Sequence, residues 1–395
     1  MSLYNCEPVI LADFTCIADK CPDSCCSAPW DIKVDDATIA RWKAMPDVKE
    51  TKALLVSIES YEDDGKTYSR FKKNSDGHCY HMQESGHCSI HSNNENSLQP
   101  DVCHTFPRMN LDNGFMQVNT LHLSCPEVVR LVLESPASRV LELSKPLRRW
   151  LQQGQDKEGD FSSPEAYMQR MLYLLWEKKQ YSYSVRTTFL AKLLIYIVES
   201  ANEVAIDATF FEDIYANMGP LLQDFNKDVL AGDVAPASKP SASIWHSCFL
   251  LLQDEMPGLI SEGSQFSKIA AVNNSQADFY NLVMETKETH KTQWDEIAPL
   301  LERYLEISFM NKSFPAKPYW GNYIASFLNV IIPLYCIEMG LCILLEQHGK
   351  ITNQDLINTI YRVERKVQDN LIYSQLTDTP DMLRIDQYFI SFLEL

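Results

Sequence analysis

The sequence is short of positive charge. Across 395 residues, 35 Lys and Arg stand against 53 Asp and Glu, leaving a formal net charge of −18. Such a field repels phosphate backbones and anionic headgroups, which excludes generic nucleic-acid binding and polybasic membrane binding and favours cationic partners. Glycine and proline are sparse too, at 13 and 19, in a chain that is 45% hydrophobic and 22% charged. Neither a collagen-like nor a largely disordered organisation fits that composition. The segment Met1 to Cys16 has no basic stretch, long apolar core or small-residue cleavage site, so a cytoplasmic location is expected. One apolar run, Tyr323 to Leu345, is long enough to weigh as a membrane span, but it contains Asn329, Pro333 and Glu338. A buried core helix is the expectation, with no membrane partner.

What is present is unevenly placed. Nine of the 12 cysteines (Cys6, Cys16, Cys21, Cys25, Cys26, Cys79, Cys88, Cys103 and Cys125) fall in the first 125 residues, and six of the nine histidines lie between His78 and His122. The stretch from Tyr61 to Pro100 is polar, with no sustained apolar period. It reads as unable to build an ordinary core, so that cross-links or metal must hold it. Short elements punctuate this third of the chain: a helix capped by Asp36 and stopped by Pro46, and a second from Lys49 to Glu59. After Cys125, Pro126 suits a first helical position and Val128, Val129, Leu131, Val132 and Leu133 supply an apolar face. Beyond residue 136, amphipathic segments open at Pro164 and Val185, and others are expected near 208–230, 276–311, 318–347 and 352–373. The predicted fold is mainly α: a Cys-rich, loop-rich metal-binding module over 1–135, then an α-helical body over 136–395. The Pro- and Ala-rich stretch 231–243 is a candidate internal boundary.

Cys16-x4-Cys21-x3-Cys25-Cys26, then Cys79-x8-Cys88-x14-Cys103 and Cys125, carry the chemistry. A disulfide framework would need an oxidising compartment. A structural zinc site usually shows Cys-x2-Cys knuckles and four ligands, whereas this chain has no such knuckle and twice the thiols. An iron–sulfur cluster on four thiolates accounts for more of the cysteines, and spacing leaves the three readings open. Cys21-x3-Cys25 has the first interval of the radical S-adenosylmethionine signature, but residue 28 is Ala rather than Cys. Cys25 and Cys26 would point to different sides of an extended backbone, placing one of them toward a separate site. Cys103-His-Thr-Phe-Pro-Arg108 reads as a rigid presenting loop, with Arg108 a candidate for binding a cofactor carboxylate or for a structural ion pair. Cys248, Cys336 and Cys342 sit in apolar helical contexts and read as core fillers.

At Phe14-Thr15-Cys16-Ile17, Cys21 to Cys26, Trp30, Cys88-Ser89-Ile90, Cys103 to Arg108 and Leu123-Ser124-Cys125-Pro126-Glu127, the chain resembles the cysteine-cluster proteins described as zinc- or iron-chelating, and within them the bacterial flagellin lysine N-methyltransferases. The likeness covers residues 10–133. It implies methyl transfer from S-adenosylmethionine to flagellin lysines, with an iron–sulfur cluster (4Fe-4S), or alternatively zinc, on Cys16, Cys21, Cys25, Cys26, Cys79, Cys88, Cys103 and Cys125. It names no catalytic residue. No Gly-x-Gly-x-x-Gly and no Rossmann-type strand alternation accompany it. A non-enzymatic metal-binding adaptor or metal-delivery protein, and a radical-type protein modifier, stand as alternative readings.

Overall fold

The computed structural model describes residues 5–28, 30–46, 49–63, 65–92, 98–112, 116–135, 141–153, 164–201, 204, 207–231, 242–256, 258–261, 263–271, 276–311 and 320–369. These residues are mainly α-helical. Most of the proposed boundary at 231–243 lies outside them.

The helical body is organised around Trp320–His348, which packs against helices Tyr183–Ala201, Ala242–Glu255, Gln276–Thr289, Lys291–Asn311 and Asn353–Asp369. From Phe327 onward it is long and apolar enough to cross a membrane, yet 89% of its most apolar window is buried inside the protein. Glu338 is tolerated there because Tyr183 Oη donates to its Oε1 at 2.5 Å and Lys287 Nζ pairs with its Oε2 at 2.9 Å. Gly340 permits close approach: a Cβ at this position would lie 3.0 Å from Thr359 Cγ2 and 3.3 Å from Leu252 Cδ2. Cys248, Cys336 and Cys342 are buried in this body, with the Cys336 and Cys248 sulfurs 3.0 Å apart.

The helices Pro126–Glu134, Pro164–Trp176, Tyr183–Ala201 and Ala208–Ala231 form close to where apolar periodicity places them. Lys145–Gln153, Ala242–Glu255 and Gln265–Ala270 are additional, and the segment expected near 276–311 divides at His290. Asp35, rather than Asp36, caps its helix: its carboxylate accepts from Thr38 N at 2.7 Å. The helix opening at Lys49 ends at Val56, because Ile58 begins a strand.

Strands are the main departure from the loop-rich expectation. β1 (Asn5–Pro8), β4 (Arg108–Asp112), β5 (Gln117–Leu121) and β6 (Leu141–Leu143) form one sheet in the order β4-β5-β1-β6, parallel only between β1 and β5. Alternation along β1 and β5 turns Cys6 and Val118 to a small core with Leu147, Trp150, Leu151 and Met310. β2 (Ile58–Asp63) and β3 (Lys66–Phe71) make a hairpin whose turn holds Gly65 at φ +69°.

The polar stretch from Tyr61 to Pro100 does contribute to a core, contrary to the sequence expectation. Phe71, Cys79, Ile90 and Leu98 join Val34, Leu54 and Trp42, and Trp42 Nε1 donates to the Leu98 carbonyl at 3.0 Å. His81 is buried beside Phe71, with its ring nitrogens 2.8 Å from Ser57 Oγ and 3.1 Å from Ser89 Oγ. A few large side chains, widely spaced in sequence, thus supply what local periodicity does not show.

Candidate functional site

Three segments converge on the thiols. The first runs from Phe14 to Cys26 and turns at Ala18–Lys20 and again at Cys25 and Cys26. Ala18 adopts φ +48°, a conformation that costs a non-glycine residue about 1–2 kcal/mol, and its backbone hydrogen-bonds the Cys16 sulfur. Ser27 Oγ donates to Asp23 Oδ1 at 2.5 Å and Cys26 N donates to Ser24 Oγ at 3.2 Å, which fixes the turn carrying Cys25 and Cys26. Both of these cysteines line the same cavity, so the expectation that one faces a separate site is corrected. The extended backbone on which that expectation rested is absent.

The second segment contains a device that spacing between cysteines alone does not reveal. Gly77-His78-Cys79 and Gly86-His87-Cys88 repeat at a nine-residue interval. In each copy a glycine at φ +80° or +81° closes a tight turn. Asn74 N donates to His78 O in one and Gln83 N to His87 O in the other, each at 2.8 Å, and the cysteine follows directly. Cys79 N then donates to Cys26 O at 2.8 Å, joining the two segments. The third segment supplies Cys103 from the short helix Asp101–Thr105 and Cys125 from the N-cap of Pro126–Glu134. The expected presenting loop is therefore helical at Cys103 and His104 and runs through Pro107 into β4.

Seven of the eight candidate thiols (Cys16, Cys21, Cys25, Cys26, Cys88, Cys103 and Cys125) line one cavity of about 290 Å³. The eighth, Cys79, hydrogen-bonds Cys26. Cys26 is a hub in contact with Cys25, Cys79 and Cys88, and sharing its proton draws those three thiols down, Cys88 to about 6. Cys26 itself is raised. Burial raises Cys16 and Cys21, and takes Cys125 up to about 12. All twelve cysteines are free, so no disulfide framework is present. Among the described residues, no group of three or more His, Cys, Asp or Glu side chains is arranged as a set of metal ligands. The contacts run through one sulfur instead of closing around a common centre, so the metal-binding character expected of this module is not carried by the geometry itself.

Arg108 lines the cavity, donates from Nη2 to the Phe14 carbonyl at 3.1 Å, and stacks its guanidinium 5.1 Å from the Phe14 ring centroid. A second arginine, absent from the sequence reading, closes the same site. Arg365 on Asn353–Asp369 pairs with Asp23 Oδ1 at 2.8 Å, donates to Asp23 O at 2.7 Å and donates to Ser124 O at 3.0 Å. It also packs on the Trp30 and Tyr361 rings. With Arg365 only 4% exposed, the first and third cysteine segments are clamped to the end of the helical body.

The chain is 22% identical over 383 residues to proteins named Lysine-N-methylase from Salmonella typhimurium (strain LT2) and Salmonella choleraesuis (strain SC-B67), covering 92% of this chain. For the S. typhimurium protein the match covers 92% of its length as well. It is 26% identical over 144 residues to the Flagellar biosynthetic protein FliU of Salmonella muenchen, covering 36% of this chain and 85% of that one. No protein-family model and no solved structure matches.

Proposed function

We propose that the protein is a cytoplasmic lysine N-methyltransferase that transfers methyl groups from S-adenosylmethionine to a flagellar protein, flagellin, with an iron–sulfur cluster on the N-terminal thiols. The observation that carries this reading is the gathering of Cys16, Cys21, Cys25, Cys26, Cys88, Cys103 and Cys125 around one cavity, with Cys79 bonded into it. The likeness to lysine methylases over 92% of the chain supports the reaction class, and the likeness to a flagellar biosynthetic protein supports the substrate.

The chemistry of the donors, rather than their present arrangement, suits a soft metal: free thiols, three of them drawn toward thiolate by a shared proton, with two guanidiniums on the cavity wall. Methyl transfer from a sulfonium to an amine is redox-neutral, so a cluster bound there would order the thiol segments, and S-adenosylmethionine would supply the methyl group. Cys25, Cys26, Cys79 and Cys88 are the ligands assigned, because they already touch. Arg108, exposed and turned to the cavity, is assigned to the carboxylate of the methyl donor. Arg365 is a positioning residue that holds Asp23 and the turn before Cys25. The contact of Cys26 with the other three thiols also favours a second reading, a structural zinc site of four sulfurs in an adaptor.

Anaerobic purification with iron, zinc and acid-labile sulfide analysis separates these readings. About four iron and four sulfide per chain are expected. The loaded protein, mixed with S-adenosylmethionine and flagellin, should then add mass in single methyl units. Zinc without sulfide, together with unchanged flagellin, would overturn the enzyme reading in favour of the adaptor.

A further inference from the structure

A second cavity, of about 400 Å³, opens between β6, the helices Lys145–Gln153 and Pro164–Trp176, and Lys291–Asn311. Leu147, Leu151, Tyr173, Trp176, Phe309 and Met310 give it an apolar side with three aromatic rings, and Gln152, Gln169, Glu177 and Lys179 add a polar one. Trp176 and Phe309 meet edge to face with centroids 5.1 Å apart, and Gln152 Nε2 donates to Tyr173 Oη at 3.4 Å. Into this setting the chain places a carboxylate, Glu306.

Glu306 has no hydrogen bond or ion pair among the described residues. The reason lies one helical turn earlier. Glu302 takes Lys179 Nζ at 2.6 Å and Arg186 Nη2 at 2.8 Å, so these two cations are already held. Burial works against the Glu302 charge, and the bonds from Lys179 and Arg186 outweigh it, keeping that carboxyl below its usual range. Glu306 receives no such bond, and burial pushes its carboxyl up to about 7. The charges that reach it from the surrounding elements are Lys179 and Arg186, which favour ionisation, and Glu302 and Glu177, which oppose it. The Cys6 thiol on β1 is in turn raised by Glu306. Arg148 lines the cavity from an exposed position.

We propose that this cavity receives an alkylammonium group, the end of a lysine side chain, with its aromatic and aliphatic wall around the methylene stem and the Glu306 carboxylate paired to the nitrogen. The inference rests on the lysine-directed reading above and locates where such a side chain is bound. A carboxylate without a counter-charge, set in an apolar aromatic lining, lacks one component, and an alkylammonium supplies both halves of it: apolar surface for the wall and charge for Glu306. A neutral stem leaves the carboxylate unpaired, and an anion is opposed by Glu306, Glu302 and Glu177 together. Binding draws Glu306 into its ionised form, so association releases a proton at pH 6, and the affinity rises with pH.

The test is isothermal titration of the full-length, metal-loaded protein with Nα-acetyl-lysine N-methylamide at pH 6 and pH 8. The lysine amine stays protonated across this range. With the carboxyl near 7, its ionised fraction grows about tenfold between the two values, and the affinity is expected to strengthen by about the same factor. Glu306→Gln should abolish the pH dependence and weaken binding at pH 8 to the level of wild type at pH 6 or below. The norleucine analogue, which has the stem without the charge, should not bind. Equal affinity at the two pH values, an unaffected Glu306→Gln protein, equal binding of the norleucine analogue, or displacement of the lysine probe by S-adenosylhomocysteine would each overturn the assignment. Methyl transfer to flagellin is scored separately. Turnover with an unchanged KM in Glu306→Gln refutes the cavity and leaves the enzyme reading intact. Glu306-dependent binding of the probe without any turnover does the reverse.

Discussion

Replacing Arg365 with Met removes three polar contacts from a group that is 4% exposed while keeping an unbranched apolar stem against Trp30 and Tyr361. Hydrogen bonds involving a charged group contribute about 1.5–3 kcal/mol each, and three of them would sum to well above what a deletion costs. Asp23 keeps the bond from Ser27 Oγ and its side chain is 25% exposed, so water recovers part of the loss. The expected cost is therefore about 3–5 kcal/mol, the range for breaking one side of a buried ion pair. Because the contacts join residues 23 and 124 to residue 365, the loss should appear as local opening of the cysteine segments. Native-state hydrogen exchange is the assay. Protection of the Cys21, Ser27 and Val129 amides, each bonded within these segments, should fall by at least about 10²-fold, since 1.4 kcal/mol is a factor of ten. Arg365→Lys, which keeps the charge and loses the fork, should fall between the two. A change below about 1 kcal/mol at these amides, or a loss spread evenly over the helical body, would refute the clamp.

Lys287→Met should destabilise by about 3–5 kcal/mol in urea unfolding, because Glu338 loses its ion-pair partner in the core; Lys287→Met combined with Glu338→Leu should recover most of this. For Glu306 the folded state holds its proton more tightly than the unfolded chain, so its contribution is fully present below the ordinary carboxyl value of 4.5 and is lost as pH rises through about 7. Glu306→Gln mimics the protonated form and should raise stability by about 1–2 kcal/mol at pH 8 and by nothing at pH 4.5, the partial exposure of the group reducing the full effect; a benefit that is the same at both pH values contradicts this. Gly340→Val should cost about 1–3 kcal/mol through collision with Thr359 and Leu252, read as a lower thermal midpoint, while Gly219→Ala, with open space around it, should cost nothing.

Much of the helical half was legible because its segments repeat apolar residues at helical spacing over many turns. Met168, Met171, Leu172 and Leu175 are all buried, as their stripe requires. The strands were not legible, since β6 has three residues and β5 shows its alternation over only five. β1 finds both of its partners, β5 and β6, more than a hundred residues away. The cysteines could be gathered from composition, and the second Gly-His-Cys turn was visible in the sequence had its nine-residue repeat been read. Arg365 carried no signal, because its partners lie 342 and 241 positions away. Glu306, within Leu-Glu-Ile-Ser, carries no sequence signal, because its place in the cavity and the ion pairs that go to Glu302 instead are tertiary features.

The reach of Arg365 also sets a schedule for synthesis. At about 5–20 residues per second, the 342 positions between Asp23 and Arg365 take roughly 20–70 s to be translated. For that interval the cysteine segments have emerged without the helix that closes over them. In the folded chain Cys16 is still exposed and Cys21, Cys25, Cys88 and Cys103 are half-buried, so what docking of the last described helix adds is the fixed position of Asp23 and of the turn before Cys25. A turn near the start of the chain is therefore fixed in place by the last described helix.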